Sequence, residues 1–387
     1  MARVQEAEDQ AQIAGGPLYP SLSAGFNAEK ARQFAPPDKY ATGGAFEPLL
    51  SASYVLDFWG RARATHRAAV LAAQASDYDR ETVVLTVLSG VATDYFQALE
   101  MRDRLTVATD NVANAQAILT GLQTEQRVGT GNALDVAQQA AAVAVESATI
   151  PPLRQQLQQS MDSLAILLGQ TPESLQFQDA GLASISIPPV VAGLPAQLLT
   201  RRPDIASAEA QLHAANADIV AARAAMFPDV TLTAAGGYAS SSLSRLITPG
   251  STIFSLAGSV TQTIFQGGAL RGQYRYSKAR YAELLADYHK SVISALSDVD
   301  KALIAVQETG EQQSRQQDAA DKAKRAFDFA QQQMRAGITS ILTVLNTETT
   351  LFTAQDQLVQ VQFQHLQALI NLYQALGGGW QQEQTRL

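Results

Sequence analysis

The 387-residue chain contains no cysteine, which removes disulfides, thiolate metal ligands and a Cys-linked lipid from consideration and leaves the compartment open. Charge is also scarce. Asp, Glu, Lys and Arg make up 17% of residues, the formal net charge is −8, and no basic cluster appears. Phosphate binding needs a basic surplus gathered on one face, so a nucleic-acid partner is excluded. No uninterrupted apolar run reaches the ~18 residues of a membrane-crossing helix, and a helical membrane protein is therefore not expected; a β-barrel is untouched by that test. The four histidines, His66, His213, His289 and His365, lie far apart and share no ligand spacing with carboxylates. Gly129-Thr130-Gly131 and Gly267-Gly268 lack the Lys-Ser/Thr ending of a phosphate loop, and no Gly-x-Ser-x-Gly elbow exists. No catalytic, cofactor-binding or metal residue is nominated, and an enzyme is not expected. The opening Met1-Ala-Arg-Val-Gln-Glu-Ala-Glu-Asp9 is charged and has no apolar signal-peptide core. Either the start is truncated, with an export signal upstream, or the chain is not exported.

What the chain does have is abundant Ala and Gln, a mean hydropathy near zero and an internal repeat. An offset of 208 residues places Tyr19-Pro20 on Phe227-Pro228, Gly60 on Gly268, Arg63 on Arg271, Arg127 on Arg335, Gly129 on Gly337, Leu134 on Leu342 and Val136 on Val344. The stripe Val84, Leu88, Val91, Tyr95 lands on Val292, Leu296, Val299, Leu303, at the spacing of one helix face, and is expected to be core.

Each half opens with two strictly alternating segments, the period of a two-faced strand. Even positions are apolar: Leu22, Ala24, Phe26 and Ala28, then Phe46, Leu50, Ala52, Tyr54, Leu56 and Phe58, and in the second half Val230, Leu232, Ala234, Tyr238, Phe254, Leu256, Val260 and Ile264. Odd positions are mostly polar, including Ser21, Ser23, Ser51, Ser53, Thr231, Thr233, Ser255, Ser259, Thr261 and Thr263. A soluble sheet would bury the apolar face on a core. No sequence remains for a second sheet layer, and the aromatics Phe46, Tyr54, Phe58, Tyr238 and Phe254 fall near strand ends, like the girdles of outer-membrane barrels. Four strands cannot close a barrel, so a membrane reading requires several copies.

Two very long helical stretches follow, over about 61–126 and 269–333, each ~100 Å if unbroken. Gly90 and Gly121 are expected to serve close helix packing. The turns Arg127-Val-Gly-Thr-Gly-Asn132 and Arg335-Ala-Gly-Ile-Thr-Ser340 reverse the chain into antiparallel helical hairpins, and the first return arm should bend at Pro151-Pro152. The expected organisation is a first repeat over 1–168 (partial N-terminal helix, β-hairpin 20–58, helical hairpin 61–168), a connector 169–202, a second repeat over 203–380 (helix 203–226, β-hairpin 228–265, helical hairpin 269–376) and a tail 381–387.

Leu198-Leu-Thr-Arg-Arg-Pro-Asp-Ile-Ala-Ser-Ala-Glu209, with Ala222-Arg-Ala-Ala-Met-Phe-Pro228 behind it, resembles the TolC-like outer-membrane efflux family, in particular the lipoprotein branch serving RND-type multidrug pumps. Leu56-Asp-Phe-Trp-Gly-Arg61, Ile264-Phe-Gln-Gly-Gly268, the two Arg-x-Gly turns and Ala375-Leu-Gly-Gly-Gly-Trp380 support the match, which runs from about Ala11 to Trp380. The resemblance implies a mainly α protein with a small membrane β part. Long antiparallel helical hairpins would form a trimeric tunnel, and four strands per chain would contribute to a shared 12-stranded barrel in outer-membrane lipid. It implies a passive efflux channel served by a periplasmic adaptor and an inner-membrane RND-type pump. Protein secretion of the type I kind, and a soluble helical scaffold, are the competing readings. The adaptor would meet the tips, Arg127, Val128, Gly129 and Thr130 with Arg335, Ala336, Gly337 and Ile338. The pore gate would lie just past them, at Asp135 in the first half and at Thr343 and Asn346 in the second, where relatives commonly carry acids.

Overall fold

The computed structural model describes residues 1–35, 39–174, 181–185, 201–378 and 380. Most of the expected connector, the Leu198-Leu199-Thr200 start of the family motif, Gly379 and the tail 381–387 lie outside the described residues. Helix α1 spans Ala2–Gly15, strands β1 and β2 Ser21–Ala35 and Lys39–Leu56, α2 Arg61–Arg127, α3 Ala133–Ser147 and α4 Ile150–Leu168. The second half holds α5 at Pro203–Ala224, β3 and β4 at Asp229–Tyr238 and Thr252–Thr261, α6 at Ala269–Arg335 and α7 at Ile341–Ala375.

The repeat is visible in the bounds. Ser21, Arg61, Arg127 and Ala133 stand 208 residues before Asp229, Ala269, Arg335 and Ile341, so α2 and α6 are each 67 residues long. The positive-φ glycines pair at the same offset: Gly60 with Gly268, Gly129 with Gly337, Gly169 with Gly377. Each sits at a helix junction, where left-handed backbone is cheap only for glycine. The halves differ on the way back, because α7 runs 35 residues unbroken whereas Pro151 and Pro152 in the first turn of α4 separate it from α3.

The chain divides into two compact units that cut across the repeat, Met1–Arg80 with Asp204–Val292, and Glu81–Pro203 with Ile293–Leu387. In the first, the four strands form one antiparallel sheet of order β1-β2-β3-β4. The registers Leu22↔Ala52, Ala52↔Ala234 and Ala234↔Leu256 join even positions to even positions throughout, so one face collects every even side chain. Pro48, which has no amide hydrogen to donate, stands just beyond Leu49↔Gly237, where pairing with β3 ends. The strand-to-helix corner explains Leu56-Asp-Phe-Trp-Gly-Arg61. The Asp57 carboxylate accepts from the backbone N–H of Ala62 and Arg63, both at 3.0 Å, and from Arg63 Nε at 3.1 Å. Burial pushes its pKa up, but these hydrogen bonds outweigh burial and hold it below the usual carboxylate value. Trp59 donates to the Pro228 carbonyl at 2.8 Å and stacks on Phe227 at 4.8 Å, tying the two hairpin bases together.

In the second unit, long helices pack through small residues. Ala98, Ala108, Ala115, Ala295, Ala302, Ala320, Ala323 and Ala330 are buried, and Leu122 of α2, Phe327 of α6 and Val344 and Leu351 of α7 share one cluster. Alanine lets helix axes approach closely and loses no rotamer freedom. The described part of the connector packs here too: Leu182 sits with Leu99, Val359 and Leu366, and its amide donates to Asp103 Oδ2 at 2.8 Å.

Three expectations are corrected. The stripe at Val84 and Leu88 is not core, these side chains being 42% and 60% exposed. A stretch of α2 is, by length and composition, apolar enough to cross a membrane, because scattered Ala, Val and Leu reach that level without an unbroken run. Gly121 faces open space rather than a close neighbour, although Gly90 does meet Leu167 of α4.

Candidate functional site

Among the described residues, none covers the even face of the sheet. Leu22, Phe26, Leu50, Leu232, Phe254, Leu256 and Val260 are all exposed, an area of apolar surface that a soluble sheet would bury at roughly 25 cal/mol per Å². This overturns the soluble-sheet reading. Phe46, Tyr238 and Phe254 lie towards one end of the strands, Tyr54 and Phe58 towards the other. The bridge Phe46↔Ser240 and the pair Tyr54↔Leu232 are eight residues apart along β2, roughly 27 Å at strand rise, close to the height of a barrel's apolar band. The odd face carries hydroxyls instead, Ser21, Ser23, Ser51, Ser53, Thr231, Thr233, Ser255, Ser259 and Thr261; Ser21 Oγ donates to the Ser53 carbonyl at 3.1 Å. Among the described residues, strands β1 and β4 each have one unpaired edge, and an unpaired edge in hydrocarbon costs several kcal/mol per backbone group.

At the far ends of α2 and α6 the chain reverses in two glycine turns. Gly129 and Gly337 have φ of 84° and 71°. Arg127, Val128, Thr130, Arg335, Ala336 and Ile338 are all exposed, Val128 by 68% and Ile338 by 74%. The bases of both turns draw on one core, Leu122 and Ile118 beside Met334, Ile341 and Val344, so the tips are brought together. Asn132 caps α3 by accepting from the Leu134 amide at 2.9 Å, which places Asp135 in the first helical turn, half-buried. Thr343 and Asn346 are exposed early in α7, and Thr339 Oγ1 donates to Thr343 Oγ1 at 3.0 Å.

Polar clamps inside this unit carry no sequence signature. Arg104 of α2 grips Asp356 of α7 through Nε at 2.7 Å and Nη2 at 3.2 Å, with Gln360 donating to the same carboxylate at 2.6 Å. Glu100, 3.6 Å from Arg104, has its pKa pushed up to about 7, by burial first and by the Asp356 charge, against the pull of Arg104. Their helix positions are separated by about 250 residues, so only the fold reveals the pairing. Arg202 of the family motif donates to the Ala375 carbonyl at 3.2 Å, closing the end of α7, and reaches Asp298 at 3.5 Å. The motif's Ile205 is buried, and Ser207 Oγ donates to Asp79 at 2.6 Å. The residues of Arg-Arg-Pro-Asp-Ile thus have structural roles. Gly377 has one as well, since a Cβ there would collide with the Arg201 carbonyl. Among the described residues no group of His, Asp and Glu is arranged to hold a metal.

A family model described as outer membrane efflux protein matches residues 1–170 and 194–378. The chain belongs to this family. The pyoverdine export outer membrane protein OpmQ of Pseudomonas aeruginosa is 40% identical over 396 residues, an alignment that takes in 100% of this chain and 83% of that one. The toluene efflux pump outer membrane protein TtgF of Pseudomonas putida is 35% identical over 372 residues, 94% of this chain and 76% of that one. Among solved structures, the open-state MtrE outer membrane channel of Neisseria gonorrhoeae superposes with a TM-score of 0.89 at 27% identity, over 98% of this chain and 85% of that one. CusC superposes with a TM-score of 0.91 at 29% identity, over 98% and 88%. This efflux protein is an outer-membrane channel of a tripartite efflux system, mainly helical with a membrane β part.

Proposed function

We propose that three copies of this efflux protein complete one 12-stranded barrel, each giving four strands, and that the channel works passively, without enzymatic activity of its own. The observation that carries this is the sheet itself, apolar and exposed on one face, hydroxyl-lined on the other and open at both edges. The exposed apolar stripe of α2, Val83, Val84, Val87 and Leu88, suits contact with a neighbouring copy. The 208-residue repeat, 1–168 and 203–380, is the domain organisation we favour, with 169–202 as connector. The exposed tips Arg127–Thr130 and Arg335–Ile338 are the proposed contact for a periplasmic adaptor, which would couple the channel to an inner-membrane RND-type pump. Asp135, Thr343 and Asn346 are the proposed gate.

For cargo we favour a bulky, hydrogen-bonding molecule of the siderophore kind. The identity to OpmQ supports this, as does an odd face on which β3 and β4 carry hydroxyls and no charge beyond Asp229. Purified trimer in a planar bilayer is expected to give stepwise conductance, and deletion of the gene is expected to lower siderophore export more than solvent tolerance. A preparation that stays monomeric and water-soluble, or a deletion that affects only solvents, would refute the assembly or the cargo respectively. At the gate, Asn346→Asp adds one acid per copy and three per ring; cation preference, measured as reversal potential in a salt gradient, should rise at low ionic strength. An unchanged potential would remove Asn346 from the pore.

A further inference from the structure

Helix α3 packs Val136 against the cluster around Val344, but its fully buried side chains are polar. The residues it buries are Gln139 and Glu146, two turns apart on one face. Gln139 is fully buried and donates from Nε2 to the Ala115 carbonyl of α2 at 3.1 Å and to Glu348 Oε2 of α7 at 3.4 Å. Glu348 and Glu146 are 4% and 8% exposed. Among the described residues neither carboxylate has an ion pair: the charge acting on Glu146 is that of Glu348, and the polar group acting on Glu348 is Gln139. Asp110 of α2 is exposed, Asp135 lies at the other end of α3, Asp356 of α7 is engaged by Arg104, and Lys322 and Lys324 of α6 pair within their own helix. Three buried oxygens, Gln139 Oε1, Glu146 Oε2 and Glu348 Oε1, have no hydrogen-bond donor. Two buried carboxylates that repel one another, beside an amide oxygen without a donor, form an arrangement short of a proton.

Glu146 also stands next to a joint. Thr149 Oγ1 donates to its carbonyl at 2.7 Å, and α4 begins immediately afterwards with Ile150-Pro151-Pro152. The segment on the other side of the joint, 133–147, leads back to the Gly129 turn.

We propose that Glu146, Glu348 and Gln139 form a proton-binding site that latches α3 to α7, and that release of the proton to water lets the 133–147 segment move at the joint. The direction of the pH effect follows from burial, which pushes Glu146 up to about 7 with the Glu348 charge adding to it, and pushes Glu348 up as well. A carboxyl that binds its proton more tightly when docked favours docking in acid. That advantage declines as pH rises from about 4.5, the ordinary value, through about 7. The latch rests on the proposed gate only for its effect on conductance; the docking is a separate matter.

The chain has no cysteine, so spin labels on Ala140→Cys and Thr349→Cys, both exposed positions, report the α3–α7 distance in the assembled protein. The loosened fraction should rise roughly tenfold between about pH 6 and about pH 8.5. With Glu146→Gln and Glu348→Gln combined, the distance should be flat across that range. If the double variant fails to assemble, Glu348→Gln alone carries the test: its amide can donate to Glu146, so the transition moves to lower pH. A flat wild-type response, or a transition that persists in the double variant, overturns the latch. A transition that tracks sodium or calcium at fixed pH overturns the proton assignment. Loosening with no change in bilayer conductance supports the latch and removes the proposed gate.

Discussion

Leu256→Arg is expected to destabilise the membrane-inserted protein by about 2–4 kcal/mol, while Ala257→Arg, one residue further on, changes it by less than about 1 kcal/mol. Both lie midway along β4, and Leu256 is 82% exposed. Register pairs Leu256 with Ala234 and Ala257 with Thr233, so the two lie on opposite faces; in the proposed assembly the even member faces hydrocarbon and the odd one the water of the passage. A guanidinium at mid-membrane must snorkel or draw in water, whereas the same group on the lumen side keeps its hydration. The comparison controls for helix and strand propensity, since the incoming residue and the strand are the same. Urea titration of the folded protein in lipid, with assembly followed by heat-modified gel mobility, measures it. Equal costs would mean that the two faces are not lipid and lumen.

Arg104→Met is expected to cost about 3 kcal/mol, because it leaves Asp356 and Glu100 without the cation they share. Side-chain exposures of 20% for Arg104, 23% for Asp356 and 6% for Glu100 put this above the contribution of a surface pair, which is about 0–1 kcal/mol. The sign with pH is defined. Glu100 sits at about 7 with Arg104 present. Removing the guanidinium takes away the attraction opposing burial, so Glu100 is driven further up. The variant therefore loses most stability at neutral and alkaline pH and recovers part of it near about pH 5, as Glu100 protonates. Chemical denaturation of wild type and variant at both pH values checks the prediction, and a loss independent of pH would mean that Arg104 acts by packing its aliphatic stem.

Alternation and repetition were legible from residue types alone. Period two over 21–29, 46–58, 230–238 and 254–264 named the four strands and the facing of those side chains, but not the continuation of β1 to Ala35 or the start of β2 at Lys39, and the 208-residue offset located both turns at Gly129 and Gly337. Helix limits came out within two residues, because glycine and proline mark them and neither depends on distant partners. What the sequence could not show was contact between remote positions. Arg104 with Asp356, Glu146 with Glu348, and Arg202 with the end of α7 join residues with no local spacing rule, and each is a polar residue that looks like ordinary helix surface in one dimension. The same limit explains the error at Val84 and Leu88. A helical apolar stripe says that something covers it, and nothing in one copy's pattern says whether that cover is its own fold or another copy. Asp135, Thr343 and Asn346 were nominated by resemblance, and exposure beside a turn is as far as one chain takes them.

The equal length of α2 and α6 has a consequence for how such proteins can change. Deleting one residue from either would turn everything beyond it by about 100° and withdraw its tip by about 1.5 Å, while the other tip stayed in place. The two turns rest on one shared set of side chains around Val344, which tolerates neither the twist nor the offset. Length drift in this lineage should therefore be concerted, with insertions or losses in one half matched in its twin and favoured in steps of about seven residues, which restore the facing after two turns.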